Sequence, residues 1–566
     1  MLVQFSFSNY KSFKDEAILN LVASGTGKKD LYCHEVDGKT SLLRTAVVYG
    51  ANASGKTKLF DAFNFMKSFI SPPKRDNRIP ILDYWQTKYD AFRLNTASEK
   101  ECSFFEAVMV IDGVQYRYGV ELNSKEVLSE WLYLKRQREI NVFSREGADI
   151  KFNKEQINVK VANNIISADM VSPSSSFLAV LKTFNEPLAT KIVSWFDDAI
   201  VISANDIRSA VPMQYLADEE RKKVITKFMK AFDFNIEDMN LHEIRIEDVP
   251  EKVKAMIGEE NLAGPLYDGI STSHRQYNEL YERVGDVWFS LEKDESYGTN
   301  RLFWLSWAII SALEKGTVLF IDEFDSGLHP YIARQVVDMF YRCHTKAQLI
   351  INTQNASLLR YKTEDDQKLF VKNQVYIVDK NRYGESTLTP LTDFGGDMRS
   401  NLENLYLDGD FGGVPYLSIK SLMELIGRCL QPSQDNPRNK DADAVARGVE
   451  TAHDENTSIL SYNNENSLAC VLSIAFYYAR NDYVIHRELP IGKGFADIVL
   501  IPRKNVDSPV IILELKVNKD VDSAIAQILR KDYPAKLREY ADRLLLVGIS
   551  YDRDTKQHSC EIRRLT

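Results

Sequence analysis

Alternating hydrophobic and polar positions mark the first strands of the chain. Val3, Phe5 and Phe7 alternate with polar residues, and a second apolar run at residues 17–19 follows a short polar segment. This period of two is typical of half-buried strands, so the pattern predicts an N-terminal hairpin. Residues 103–145 hold further strand-like runs, and Asp112-Gly113 between the first two is a hairpin signal. Together these segments predict an antiparallel β lobe.

Other segments have the period of a helix. The apolar run at residues 45–49 precedes a segment with four apolar side chains on one helical face: Leu59, Phe63, Met66 and Ile70. Residues 301–360 alternate helix, strand, helix and strand patterns, and residues 186–260 have mostly helical patterns. Alternating helices and strands predict an α/β fold.

The chain divides at a polar junction. Two glycines at residues 412–413 are followed by a proline-containing polar stretch at residues 431–440. A new series of helix, three strands, helix and strand begins near residue 460. We therefore predict a first domain at residues 1–415 with a helical insertion at about 186–290, a linker at 416–457 and a small domain at 458–566.

Composition excludes several classes of protein. The chain has 566 residues, of which 44% are hydrophobic and 27% charged, and this ordinary globular usage argues against collagen-like and disordered chains. A net charge of −9 confines any nucleic-acid surface to part of the molecule, because proteins that wrap nucleic acid are usually basic. The six cysteines are scattered without a C-x-x-C pair, so we expect a reducing compartment and no structural zinc.

The sequence shows no pattern typical of secretion or membrane insertion. The N-terminal residues lack a basic segment followed by an apolar one. The longest apolar stretch, residues 302–313, is broken by two serines and is shorter than the roughly 20 residues of a membrane span. We expect a cytoplasmic protein without membrane contact.

Residues 50–57, GANASGKT, match the phosphate-binding pattern G-x-x-x-x-G-K-[ST] between a strand and a helix. Backbone N–H groups of such a loop converge on phosphates, and the helix N-terminus adds a positive dipole end. Lys56 is expected to reach the β- and γ-phosphates, and the Thr57 hydroxyl to bind Mg²⁺. The remaining predicted ATP-binding residues are Gly50, Asn52, Ser54 and Gly55.

A second apolar strand, residues 318–321, ends in Asp322-Glu323. An acid at the carboxyl end of a strand points into the crevice where α/β proteins bind ligands. We predict that Asp322 belongs to the Mg²⁺ site and that Glu323 positions or activates the attacking water. The alternative is a solvent-facing acidic turn.

Several shorter motifs accompany these two. They are NYKSF at residues 9–13, SYGT at 296–299, DSGLHP at 325–330 and FGGVP at 411–415. With them, residues 1–415 resemble an ABC-type ATPase of the SMC/RecF group, in particular the bacterial defence-associated ATPases of the overcoming-lysogenisation-defect type. SYGT resembles the signature loop of that group and DSGLHP its D-loop. For SYGT alone, the alternative is an ordinary helix N-cap at Ser296.

The resemblance implies a dimer that sandwiches ATP. The P-loop of one subunit and the signature loop of the other enclose the nucleotide in that family, so Ser296 and Gly298 would contact the γ-phosphate in trans. A homodimer or higher even oligomer is therefore expected. Gln354 takes the position of the family's switch histidine; it can donate a hydrogen bond but cannot become cationic, so we expect slower hydrolysis.

Three charged residues interrupt two apolar strand-like runs near the C-terminus. Asp497 lies in the first run, and Glu514 and Lys516 lie two residues apart in the second, so they face the same side. Charges in apolar strands are costly unless they pair or bind metal. Two carboxylates suit Mg²⁺, with Lys516 stabilising charge on a phosphodiester or helping to deprotonate the water. The alternative is a surface ion pair on an ordinary strand.

With the surrounding helix–strand order, residues 455–566 resemble the PD-(D/E)xK superfamily, whose domains are restriction-endonuclease-like. The resemblance adds Glu465 as a third acidic residue at the metal, and Gln527 as a residue near the substrate. Ala496 stands where the name-giving pattern has proline, a position that varies in the superfamily.

We predict an ATP-regulated, Mg²⁺-dependent nuclease that acts on DNA in preference to RNA. From the family resemblance, its role would be that of a bacterial antiphage or abortive-infection effector. A phage-encoded trigger or a partner subunit is left open. The alternatives are an ATP-switched protein whose nuclease-like domain binds without cleaving, and a RecF-like DNA-repair ATPase.

Overall fold

The computed structural model describes residues 1–23, 29–36, 40–72, 74–75, 79–80, 84–204, 216–232, 235–244, 247, 266–394, 402–413, 483–491, 494–502, 509–531, 543–552 and 557–564. The chain divides into two compact units, Met1–Val414 and Pro415–Thr566. The predicted linker at 416–457 lies outside the described residues. Among those that are described, no helix is both long and apolar enough to cross a membrane.

A seven-stranded antiparallel sheet forms the β lobe of the first unit. Its strands are β1 (Leu2–Ser8), β2 (Ala17–Asn20), β8 (Ser103–Ile111), β9 (Val114–Leu122), β10 (Val127–Lys135), β11 (Glu139–Glu146) and β12 (Asp149–Phe152), in the order β12-β11-β10-β9-β8-β1-β2. The predicted N-terminal hairpin is confirmed, since β1 pairs with β2. The turn at Asp112-Gly113 is also confirmed; both residues have positive φ, as a tight hairpin turn requires.

A six-stranded sheet lies at the centre of the same unit. It contains β5 (Thr45–Gly50), β13 (Ile200–Ile202), β17 (Val318–Ile321), β18 (Gln348–Asn352), β19 (Val375–Lys380) and β20 (Ser386–Pro390), in the order β13-β17-β18-β5-β19-β20. All pairs are parallel except β19–β20. Residues of β5, β17 and β18 are buried throughout, because helices and the β lobe cover this sheet. These three strands are parallel neighbours, so their carboxyl ends lie at the same edge of the sheet.

Two long helices follow the site motifs. Helix α2 (Lys56–Ile70) begins at the end of the loop that follows β5 and buries the four predicted apolar residues. Helix α7 (Tyr297–Lys315) begins at the N-cap Ser296 and ends at Gly316, whose positive φ of 67° suits a helix C-terminus. Helix α8 (Pro330–Arg342) connects β17 to β18. The α/β class predicted from the patterns is confirmed.

The helical insertion predicted at 186–290 is wrong in its second half. Helices α5 (Pro187–Asp198) and α6 (Glu219–Ala231) occupy the first half. The second half forms a three-stranded antiparallel sheet of β14 (Asp238–Ile244), β15 (Leu266–Tyr277) and β16 (Arg283–Ser290). The alternation of β14 is interrupted by a register shift between His242 and Glu243, and β16 is largely exposed, so neither strand has a clean period of two.

Smaller elements complete the first unit. The strand pairs are β3 (Cys33–Glu35) with β4 (Ser41–Leu43), and β6 (Lys74–Arg75) with β7 (Ile79–Pro80). The remaining helices are α1 (Lys29–Tyr32), α3 (Val159–Ser167), α4 (Phe177–Thr183) and α9 (Leu402–Leu407).

The second unit contains a five-stranded mixed sheet. Its strands β21 (Tyr483–Ile491), β22 (Gly494–Pro502), β23 (Val510–Val517), β24 (Leu544–Asp552) and β25 (Gln557–Arg564) are neighbours in chain order. Only β23 and β24 pair in parallel, and helix α10 (Val521–Arg530) lies in their crossover. Ile525 and Ile528 of α10 pack on one face of the sheet in a core with Ile512.

Candidate nucleotide and nuclease sites

The P-loop requires glycine at both fixed positions because the chain packs closely there. A Cβ at Gly50 would lie 2.3 Å from the carbonyl oxygen of Val378. Gly55 has a φ of +118° and is the N-cap of α2. Between them, Asn52 is half-buried. The Ser54 hydroxyl is buried and has no hydrogen-bond partner among the described residues, which fits a loop that offers donors to a phosphate.

Lys56 lies inside this loop. Its Nζ donates hydrogen bonds to the carbonyl oxygens of Gly50 and Ala51, at 2.7 and 2.8 Å. Burial lowers the pKa of Lys56 to about 8, and the nearby carboxylate of Asp322 opposes that shift. Among the described residues, hydrogen bonds from this buried ammonium go to carbonyl oxygens alone, so it is well placed to bind an anion instead of them.

Thr57 and Asp322 meet, as the motifs predict. Thr57 Oγ1 donates to Asp322 Oδ1 at 3.1 Å. Burial raises the pKa of Asp322, and burial together with the Asp322 charge raises the pKa of Glu323. A hydroxyl beside a buried carboxylate is a donor set that fits Mg²⁺.

Two further residues at this edge were not predicted from the sequence. Asn352, at the end of β18, donates through Nδ2 to Asp322 Oδ1, and its Oδ1 accepts from the backbone N–H of Glu323 at 2.7 Å. Arg301 of α7 donates to the carbonyl oxygen of Glu323 at 2.8 Å. The rule that identified Asp322, a polar residue at the carboxyl end of a buried strand, would also have found Asn352.

The NYKSF segment contacts the other side of the P-loop. A Cβ at Gly55 would lie 2.6 Å from Ser386 Oγ and 2.8 Å from Ser12 Oγ. The Ser386 hydroxyl also donates to the carbonyl oxygen of Ser54. The backbone N–H of Ser386 donates to the carbonyl oxygen of Ser12 at 2.7 Å. The first motif of the chain is therefore folded against the nucleotide loop.

The predicted signature loop packs on the D-loop of its own subunit. Ser296 Oγ accepts from the backbone N–H of Thr299 at 3.1 Å, so it does act as a helix N-cap. A Cβ at Gly298 would lie 2.6 Å from the carbonyl oxygen of Gly327. Tyr297 covers Gly327 from the other side and remains largely exposed.

Gln354 is exposed just beyond the end of β18. Its neighbours make the contacts with the acidic residues at this edge. Thr353 Oγ1 donates to Asp325 Oδ1 at 2.5 Å, and Asn352 binds Asp322. The role expected of Gln354 at the γ-phosphate stays a prediction.

In the second unit, β22, β23 and α10 bring four predicted residues together. Asp497 Oδ2 accepts from the backbone N–H of Leu515 at 2.7 Å, between Glu514 and Lys516. Lys516 Nζ lies 3.4 Å from Glu514 Oε1 and donates to the carbonyl oxygen of Leu515 at 2.7 Å. Gln527 donates through Nε2 to Glu514 Oε1.

The carboxyl group of Glu514 is strongly perturbed. Burial, and then the charge of Asp497, raise the pKa of Glu514 to about 7, against the opposing effect of Lys516. Its Oε2 is buried and has no hydrogen-bond partner among the described residues. An unpaired carboxylate oxygen beside a second carboxylate fits a divalent cation.

The third predicted acid, Glu465, lies outside the described residues. Within the described part of the chain, no group of three or more histidine, cysteine or acidic side chains could hold a metal ion. Two carboxylates with one cation and one amide remain, a set that Mg²⁺ accepts because it keeps several of its waters.

Comparison with known families identifies both units. Residues 46–360, more than half of the chain, match the family described as "AAA domain, putative AbiEii toxin, Type IV TA system". The chain belongs to this ATPase family. The AbiEii-type ATPase is followed by a nuclease-superfamily domain, since residues 463–561 match the PD-(D/E)XK nuclease superfamily. These matches confirm the resemblance of the motifs to a P-loop ATPase and to this superfamily.

Solved structures similar to this AbiEii-type protein are SMC head domains. One is the SMC head domain from Thermotoga maritima, at 15% identity and a TM-score of 0.31, covering 69% of this chain and 98% of that one. Another is an Smc head bound to the C-winged helix domain of ScpA, at 14% identity and a TM-score of 0.32, covering 69% and 97%. A search of curated proteins returned no match.

Proposed function

We propose that this protein is an ATP-hydrolysing regulator joined to a Mg²⁺-dependent nuclease. The observation that carries the proposal is the cluster of Asp497, Glu514, Lys516 and Gln527 in a unit that follows a complete P-loop ATPase site. The cluster has the donors that phosphodiester cleavage needs, and the P-loop offers a means of control.

At the ATPase site, each residue has a separate task. Lys56 leaves the carbonyl oxygens of its loop and binds the β- and γ-phosphates. Thr57 and Asp322 would hold Mg²⁺, which would neutralise charge on the phosphate oxygens. Glu323 orients the attacking water, and its raised pKa favours acceptance of a proton.

We propose that ATP closes a homodimer. The signature loop of one subunit would cover the nucleotide in the P-loop of the other, with Ser296 and Gly298 at the γ-phosphate. The contact between Gly298 and Gly327 supports this, because it lets the signature loop and D-loop move as one surface. Hydrolysis would release the dimer, as in other switches that depend on one phosphate.

At the nuclease site, the residues of the cluster would hold a metal ion and act on a phosphodiester. Asp497 and the free Oε2 of Glu514 would bind the cation, which lowers the pKa of its water and polarises the phosphate. Lys516 supplies positive charge to the developing phosphorane or accepts a proton. Gln527 fixes the other oxygen of Glu514 and so sets the direction of its carboxylate.

The biological setting is part of the proposal. The matching family is described by a putative AbiEii toxin and a type IV toxin–antitoxin system, which supports a bacterial defence role. A cytoplasmic location is part of the same proposal. DNA is the preferred substrate, and a phage-encoded signal is a suitable trigger. A role in defence rests on family likeness rather than on the geometry of either site.

The test is cleavage of plasmid DNA and of RNA by the full chain, with Mg²⁺ and with or without ATP. We expect metal-dependent cleavage that ATP alters and that Glu514→Ala abolishes. Asp522→Asn is the matched control, because Asp522 is an exposed acid of α10 paired with Arg563, away from the cluster. Binding of DNA without cleavage under all conditions would favour the ATP-switched binding protein instead.

A further inference from the structure

The backbone of Glu323 adopts an unusual conformation. Its φ is +48°, in the left-handed region that residues with a Cβ seldom occupy outside functional sites. This conformation turns the chain sharply after β17. It persists only if surrounding groups hold the peptide on both sides.

Asn352 holds the N-terminal side of that residue. Its Oδ1 accepts from the Glu323 N–H at 2.7 Å while its Nδ2 donates to Asp322 Oδ1. Asn352 is fully buried at the end of β18, which lies between β17 and β5 in the sheet. One amide therefore fixes both the side chain of the metal-binding acid and the main chain of the next residue.

Arg301 holds the carbonyl groups on both sides of Glu323. Its Nη2 donates to the carbonyl oxygens of Glu323 and Asp322, at 2.8 and 3.1 Å, and its Nη1 lies 3.4 Å from the carbonyl oxygen of Ala204. Only 4% of Arg301 is exposed. Burying a guanidinium is costly, and in the described part of the chain its hydrogen bonds go to main-chain oxygens alone, which indicates a specific task.

We propose that Arg301 and Asn352 are positioning residues that clamp the Glu323 main chain in its left-handed conformation and so aim its carboxylate at the attacking water. The proposal rests on the proposed ATP hydrolysis. Arg301 follows the signature loop by two residues in α7, so the clamp also connects that loop to Glu323 of the same subunit. Displacement of the loop by a partner would reach the carboxylate through Arg301.

The decisive experiment is a double-mutant cycle on the full chain. We expect Arg301→Met to lower kcat for ATP by about 100-fold, as small misplacements of catalytic groups do, while the Kd for ATP changes less than about threefold. In a Glu323→Gln background, measured by single-turnover hydrolysis, Arg301→Met should cause no further loss. A residue that acts only on folding would lower ATP affinity and would add its effect to that of Glu323→Gln.

Two controls keep the test informative. Lys315→Met removes a cation from the other end of α7, where it pairs with exposed Asp198, and should leave kcat unchanged. If Arg301→Met does not fold, Asn352→Ala tests the clamp instead, because Asn352 accepts a hydrogen bond from the Glu323 N–H. That variant should lower kcat and speed hydrogen exchange of the peptide containing the Glu323 N–H, with ATP still bound.

The possible outcomes distinguish failure of the proposed function from failure of the proposed clamp. A parent chain that binds ATP but never hydrolyses it contradicts the proposed function. A parent that hydrolyses ATP, with clamp variants that retain kcat or add fully to Glu323→Gln, contradicts only the clamp.

Discussion

At the scale of single residues, the nucleotide site depends on charges kept away from water. Lys56→Ala removes the ammonium that the loop encloses and should weaken ATP binding by about 10- to 100-fold, the value of one or two hydrogen bonds to a charged group. Equilibrium titration with a fluorescent ATP analogue measures this. Lys58→Ala, two residues further along α2 in a half-buried ion pair with Asp61, is the control that should bind normally.

The neighbouring carboxylate has a different predicted effect. Glu323→Gln keeps the size of the side chain but removes the proton acceptor, so we expect ATP to bind while kcat falls by about 10²- to 10⁴-fold. Steady-state phosphate release measures the rate. Unchanged turnover would contradict the role proposed for Glu323.

Glu514 gives the nuclease site a pH dependence. Because burial raises the pKa of Glu514 to about 7, the carboxylate is protonated below that pH and a proton competes with the metal. Below pH 7 we expect the affinity for Mg²⁺ or Mn²⁺ to fall by about tenfold per pH unit, and above pH 7 to level off. Calorimetric metal titration of the full chain from pH 5.5 to 8.5 tests this.

The control for that pH profile is Glu514→Gln. It cannot ionise, so its residual metal affinity should lose the step near pH 7. A step of equal size in Glu514→Gln would assign the titration to another group.

The sequence could predict residues that lie within short motifs, but not their partners across the fold. Thr57, Lys56 and Asp322 occupy fixed positions beside an apolar strand, so spacing alone located them. Arg301 meets Glu323 only because α7 packs beside β17, and Asn352 meets it only because β18 lies between β17 and β5. Such contacts depend on strand order, which the sequence pattern did not specify.

At the scale of elements, the sequence pattern also failed to predict the strands in the second half of the insertion. The central strands β5, β17 and β18 are buried runs, and their patterns were unambiguous. The strands β14 and β16 have exposed or irregular faces, because their sheet covers little core and contains register shifts. Charged residues on such strands resemble the polar face of a helix, so the period was assigned wrongly.

Helix α10 packs closely on the nuclease sheet at the small residue Gly548. A Cβ at Gly548 of β24 would lie 3.1 Å from Ala524 Cβ and 3.2 Å from Ile525 Cγ1. Gly548→Val should therefore move α10 away, separate Gln527 from Glu514 and destabilise the second unit by about 1–3 kcal/mol. We expect cleavage to fall while ATP hydrolysis is retained, as measured in parallel assays with thermal unfolding.

A matched control exists in the first unit. Gly285 of β16 is also a strand glycine, but a Cβ there would meet nothing within 4 Å, so Gly285→Ala should change neither stability nor cleavage. If Gly548→Val cleaves as well as the parent, the contact between Gln527 and Glu514 is not needed for the reaction.

At the scale of the whole molecule, the end of the first unit lies beside the nucleotide loop. A Cβ at Gly413 would lie 2.7 Å from Ile377 Cγ2 and 3.3 Å from Gly50 Cα. Tyr406 donates from its hydroxyl to the carbonyl oxygen of Gly413 at 3.2 Å. The last described residue of the first unit, Gly413, therefore lies next to the P-loop.

The proposed dimer makes a prediction that a monomeric ATPase cannot meet. Lys56→Ala should disable the P-loop of a subunit, and Ser296→Arg should block its signature loop, so each variant alone should be inactive. In a mixed dimer, one of the two sandwiches combines the intact P-loop of one variant with the intact signature loop of the other. Mixing equal amounts should then restore about a quarter of the parent ATPase activity, because half of the dimers are mixed and each has one working site.

Two kinds of sample serve as references for this mixture. One is each variant mixed with itself, and the other is the double variant Lys56→Ala/Ser296→Arg mixed with the parent. Ser296 also caps α7, so circular dichroism must first show that Ser296→Arg is folded. Light scattering of Glu323→Gln with ATP should give a dimer or a higher even oligomer, since the nucleotide persists and holds the sandwich closed. A mixture that stays inactive, although both variants fold and exchange subunits, would contradict action of the signature loop in trans.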